Sequence, residues 1–224
     1  MTSKTRAESG FKGQAVSRHP RHPLSLLTGA TLLLSSCKSP PAQDAQPPLP
    51  EVRVSPREIA GVRLVPVRPS LLARCRQEAH RVPFPVPCPR ILPARQLDLL
   101  WCNGCPPGEE TFNVDGLFRG PVGYEGRGHG GSRDLHLVIG AFRAEENPVR
   151  SLCPGAHLAG ASRVRGRAGH WILCPMPPEP GFHSGHVVLT WVEDGARYVV
   201  SLHGQTKVNR RIARVIAGDL VMVA

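Results

Sequence analysis

Aromatic side chains make up only 5% of these 224 residues, and Asp and Glu (17) are outnumbered by Lys and Arg (28), for a formal charge of +11. Basic charge alone gives non-specific affinity for phosphate polymers, but nucleic-acid recognition adds stacking aromatics or a recognition helix to it. Neither pattern occurs, so nucleic acid is not an expected partner. No apolar run is long enough to span a bilayer: Leu24–Leu34 (LSLLTGATLLL) has eleven residues where about 20 are needed. The chain also lacks the Gly-Lys-Ser/Thr of a phosphate loop, a G-x-S-x-G elbow, a second C-x-x-C and an evident pair of acids for general acid-base work. No cofactor is expected, and no catalytic residue is assigned.

Proline (24) and glycine (23) together exceed a fifth of the chain, which favours short strands and turns over long helices. Lys4, Arg6, Lys12, Arg18 and Arg21 precede the apolar run of residues 24–34, and basic followed by apolar is the order of a secretory signal. A start at Val16 would leave VSRHPRHP as a compact basic segment. From Lys38 to Pro50 (KSPPAQDAQPPLP) five prolines and almost no apolar side chains describe an extended, semi-stiff spacer.

Between these segments, Leu34-Ser35-Ser36-Cys37 resembles the lipobox of bacterial lipoprotein signals. The resemblance implies lipid on Cys37, cleavage that makes Cys37 the mature N-terminus, and anchoring to the extracytoplasmic face of a bacterial membrane. The expected organisation is a signal peptide over 1–36, a lipidated cysteine and proline-rich tether over 37–50, and one globular domain over 51–224. Residues 1–36 hold five Lys or Arg and one Glu, so their removal lowers the charge from +11 to +7. Anionic envelope components, lipid head groups or cell-wall polymer, are the partners that such a charge attracts, weakly and with screening by salt.

Within 51–224, Glu51–Val67 reads as one or two short strands with a turn at Ser55-Pro56. Pro69 opens a helical pattern to His80, with Leu71, Leu72, Cys75 and Ala79 on one face. Prolines at 83, 85, 87, 89 and 93 predict an extended segment lying over the domain and outside any sheet. Gly120–Gly131 reads as a surface loop. Strands are predicted at 97–101, 111–118 and 135–142, and 162–165 is predicted to pair with 170–174. Val187–Val192 and Arg197–His203 flank Asp194-Gly195, a strong hairpin signal, and a helix from Thr206 to Gly218 and a last strand at 220–223 follow. The expectation is an α+β fold: a small, mostly antiparallel sheet with a C-terminal hairpin-helix-strand unit and Pro/Gly-rich loops. The HVVLTWVEDGARYVVSLHGQ stretch with IARVIA, together with CRQEAHRVPFPVPCP, resembles uncharacterised exported proteins of actinobacteria. That resemblance implies export and fold, and no activity.

Apart from Cys37, six cysteines remain: Cys75, Cys88, Cys102, Cys105, Cys153 and Cys174. An even number in an exported chain points to disulfides, with Cys75–Cys88 and Cys153–Cys174 as the preferred pairs. Trp101-Cys102-Asn103-Gly104-Cys105-Pro106 resembles the W-C-x-x-C motif of thioredoxin-like proteins, in which a helix N-terminus lowers the pKa of the first thiol. No βαβ pattern surrounds it here. His183, His186 and His203 are brought together if the hairpin joins its two ends, and three imidazoles make an open metal site. Exposed, unrelated histidines are the plainer alternative, and no metal ligand is assigned. The two function classes are therefore a non-catalytic binding or structural domain at the cell surface, and an extracytoplasmic enzyme using the CNGC thiols or a histidine-bound metal.

Overall fold

The computed structural model describes residues 55–103, 110–122, 124, 134–144, 152–176 and 183–224. The signal segment, Cys37, the tether, Cys105 and most of the glycine-rich run lie outside the described residues. The architecture is α+β and mostly antiparallel. In chain order come β1 (Arg57–Ile59), β2 (Val62–Pro66), helix α1 (Pro69–Ala79), β3 (Val86–Pro89), β4 (Ile91–Pro93), β5 (Gln96–Asn103), β6 (Thr111–Arg119) and β7 (Asp134–Arg143). They are followed by β8 (His157–Val164), β9 (Arg167–Leu173), β10 (His186–Glu193), β11 (Ala196–His203), α2 (Lys207–Gly218) and β12 (Leu220–Val223). Neither helix is long and apolar enough to cross a membrane.

Seven strands form the central sheet in the order β5-β6-β7-β11-β10-β9-β8, each antiparallel to its neighbours. Two meanders, β5 to β7 and β8 to β11, are joined where β11 pairs with β7. The alternation of side chains along a strand gives each face its own content. Leu135, Leu137 and Ile139 of β7, Tyr198, Val200 and Leu202 of β11, and Val187, Leu189 and Trp191 of β10 build the main core. Helix α2 covers that face with Ile212, Ala213, Ile216 and Ala217, whose spacing makes one apolar stripe. The opposite face carries a second, smaller cluster of Val188, Val199, Ile172, Leu152 and Cys174. Both edge strands are interrupted, β5 between Gln96 and Asp98 and β8 between Leu158 and Ala161. Irregular edges are poor templates for pairing with another chain.

Three two-residue hairpin turns place positive φ at both central positions: Ala60-Gly61, Arg165-Gly166 and Asp194-Gly195. Such turns match the twist of the flanking strands. The first corrects the expected turn at Ser55-Pro56, which precedes β1. A second correction concerns the prolines after α1. Residues 86–89 and 91–93 are strands: β3 pairs with β12, and β4 with β2. Pro87 and Pro89 alternate along β3, so both missing N–H donors fall on the edge turned away from β12. The intervening Val86 and Cys88 are wholly buried.

Cys75 of α1 is disulfide-bonded to Cys88 of β3, and Cys153 to Cys174. All four are buried. The first bridge fastens the proline strand to the helix; the second fastens the 152–156 segment to the smaller cluster. Loops of 13 and 21 residues are closed. By the chain-entropy relation each closure contributes about 3 kcal/mol. Cys75→Ala/Cys88→Ala is therefore expected to lower unfolding free energy by about that amount in a denaturant titration. No change on removing both thiols would contradict the bracing role.

Candidate functional site

The small-cluster face of the sheet also gathers most of the buried polar groups. Asp115 lies on β6, His136 on β7, Ser201 and His203 on β11, and His186 at the start of β10; His183 precedes β10. The β10–β11 register sets His186 directly opposite His203. His186 and His203 ring centroids are 5.2 Å apart, those of His136 and His186 4.9 Å, and those of His183 and His186 5.9 Å. Among these, His183, His186, Ser201 and His203 are buried, whereas the His136 and Asp115 side chains retain 16% and 28% exposure and open the cluster to solvent.

Four contacts join these groups in a chain. Asp115 Oδ1 lies 2.6 Å from His136 Nε2, and His136 Nδ1 3.2 Å from His186 Nε2. Ser201 Oγ lies 2.7 Å from His186 Nδ1 and 3.0 Å from His183 Nδ1. An ionised carboxylate can only accept, and that fixes the direction of the whole series when the rings are neutral. His136 donates from Nε2 and accepts at Nδ1; His186 donates from Nε2 and accepts at Nδ1 from the Ser201 hydroxyl; Ser201 accepts from His183 Nδ1–H. Every bond is satisfied without a charged ring. At the inner end, burial and the nearby His136 lower the His183 pKa to about 4, against a raising effect from Asp115. Desolvation disfavours the imidazolium, so His183 is neutral at pH 7.

The backbone around the site is closely held. Gly185 has φ +73, and a Cβ there would lie 2.8 Å from His203 Nε2 and 2.6 Å from Met176 Cε. Only glycine lets the 183–186 turn approach so near. On the other side, Asn209 Nδ2 donates to the carbonyls of His203 and Gly204, both at 2.7 Å, while Tyr124 donates its hydroxyl to Asn209 Oδ1. Burial raises the Tyr124 pKa far above its ordinary value, which keeps the hydroxyl a donor.

Chemically, this chain can relay a proton between the partly exposed carboxylate and a buried imidazole. It does not present a nucleophile, since Ser201 is wholly buried. Nor do His183 and His186 aim at a shared metal position: both Nδ1 atoms turn onto Ser201 Oγ. Among the described residues no group of three potential ligands is arranged for a metal ion. The three histidines singled out from the sequence do converge: His183 and His186 are members of the hydrogen-bonded chain, and His203 packs edge-on against the His186 ring. Asp115, His136 and Ser201 were missed. Their signal was a lone polar residue at alternate positions of otherwise apolar strands, as in DLHLVIG and YVVSLH.

Cys102 lies near the end of β5, which is followed by its antiparallel partner β6 and not by a βαβ crossover. Cys105 falls outside the described residues. No family model, curated protein or solved structure matches the chain.

Proposed function

We propose that this is an exported protein held on the extracytoplasmic face of a bacterial membrane by lipid on Cys37. Residues 51–224 form a non-catalytic binding or structural domain beyond the tether of residues 37–50, and the terminal hairpin and the helix after it belong to its core. The observation that carries this reading is the pair of buried disulfides, Cys75–Cys88 and Cys153–Cys174. Such crosslinks persist in oxidising compartments and are rare where glutathione and thioredoxin keep thiols reduced. A non-catalytic domain is supported by the burial of Ser201 and by the engagement of the histidines with one another. An extracytoplasmic enzyme using Cys102 and Cys105, or a metal on His183, His186 and His203, is the weaker alternative, because β5 and β6 pair antiparallel instead of forming a βαβ unit and the Nδ1 atoms of His183 and His186 turn onto Ser201.

The test is fractionation of the full chain expressed in a bacterial host. Each buried CH₂ of an acyl chain adds about 0.8 kcal/mol of membrane affinity, and two chains anchor stably. Wild-type protein is expected to stay with membranes through a high-salt wash and to enter the detergent phase. Cys37→Ala is expected to lose the lipid mass while keeping the apolar run. Release of the wild type by salt would show that charge alone held it, and a cytosolic, lipid-free wild type would overturn the reading.

A further inference from the structure

An open groove of about 610 Å³ lies between the start of α1, the link from β2 to α1, and strands β4 and β5. That volume is within the range of small-ligand sites. Its apolar lining includes Val67, Leu71, Leu99 and Trp101, all partly buried and packed on the main core. Three guanidinium groups, Arg68, Arg74 and Arg95, line the same groove, and no acidic residue does. Arg74 lies 5.4 Å from the Trp101 ring centroid and at 4.0 Å from Glu78, so it is partly engaged. Arg68 and Arg95 make no ion pair among the described residues, and the first turn of α1 contains no acid. Asp98, the one acid of β5, is not part of the lining.

We propose that this groove binds one anionic phospholipid, its phosphate between Arg68 and Arg95 and the first carbons of its chains against Leu71, Leu99 and Trp101. The inference rests on the membrane address, which supplies the ligand and commits the occupant to a lipid. Charge complementarity selects an anion, and guanidinium is well suited to phosphate because its planar fork matches two oxygens at once. The apolar lining selects an amphiphile over a free anion. Residues 37–50, expected from their prolines to run extended at about 3 Å per residue, would span roughly 40 Å. A lipid held in this groove would turn that face of the domain toward the membrane.

The test titrates the full-length Cys37→Ala chain with dihexanoyl phosphatidylglycerol below its micelle concentration, read by calorimetry and by Trp fluorescence. Saturable binding is expected, with dihexanoyl phosphatidylcholine weaker by roughly tenfold or more. Arg68→Gln/Arg95→Gln is expected to weaken phosphatidylglycerol binding by roughly tenfold or more. Arg163→Gln/Arg211→Gln removes the same charge from exposed positions on β8 and α2 and is expected to leave affinity within about twofold. Absent binding, equal binding of the two lipids, or equal losses in the two double variants would overturn the proposal. Glycerol phosphate binding as well as the lipid would show a site for free phosphate and would also overturn it. Because the lipid is supplied in soluble form, this titration is read independently of whether Cys37 is acylated in cells.

Discussion

Replacing Trp191 by alanine is expected to remove about 3–5 kcal/mol of stability, the range for deleting a large aromatic from a packed core. Trp191 is 1% exposed and stacks on Tyr198 with ring centroids 5.5 Å apart. Its Nε1 donates to Glu193 Oε2 at 3.3 Å, so truncation also leaves Glu193 without that donor. Tyr198 in turn donates its hydroxyl to the Pro85 carbonyl at 3.0 Å, linking β11 to the segment just before β3. The cavity therefore opens where the central sheet meets the disulfide-fastened proline strand. With a typical domain stable by only about 5–15 kcal/mol, the loss is a large part of the total. Val122→Ala, at a side chain 83% exposed, is expected to change stability by less than about 0.5 kcal/mol. Equal tolerance at the two positions in a thermal or denaturant melt would show that the core lies elsewhere.

Acidification is the second large effect. His183 has a folded-state pKa of about 4 against an ordinary value of 6.5. Between those values the unfolded chain binds a proton that the folded chain refuses, so stability falls as pH drops through this window and is fully present above it. The difference amounts to about 3 kcal/mol once the pH is below the folded value, at 1.36 kcal/mol per unit. The groups facing His183 are His136, His186 and Ser201, with Asp115 beyond them. His183→Gln removes the titrating ring and is expected to flatten the dependence of unfolding free energy on pH between 6.5 and 4, at some cost in stability at pH 7. An unchanged slope in the variant would mean that His183 is not the group being charged.

The antiparallel class was legible because its signals are local. Runs rich in apolar and β-branched residues marked the strands of residues 135–142 and 197–203, and Asp194-Gly195 marked the turn between β10 and β11. The disulfide Cys75–Cys88 was legible for a different reason: a bridge there pins the extended proline segment to the helix before it. The proline strands were not, because the rule that proline excludes a strand counts missing donors without knowing which edge they face. Along β3 they face away from β12, and pairing survives. Ala60-Gly61 was hidden behind the stronger chemical turn signal of Ser55-Pro56. The histidine site was half legible. His186 and His203 follow from one hairpin register, but Asp115 and His136 join them only because β7 docks on β11, a contact between meanders that no local pattern announces. The Arg-lined groove was wholly illegible, since it assembles residues from the β2–α1 link, α1, β4 and β5.

The compartment decides how every cysteine and the whole N-terminal segment are read, and thiol trapping measures it directly. Protein expressed in a bacterial host is quenched in acid, denatured and alkylated without reductant, then digested and weighed peptide by peptide. The account expects Cys75, Cys88, Cys153 and Cys174 to be unlabelled until a reductant is added, and then fully labelled. Native material in which all four thiols take the label at once would contradict an oxidising address, and with it the proposal of an exported, disulfide-braced domain.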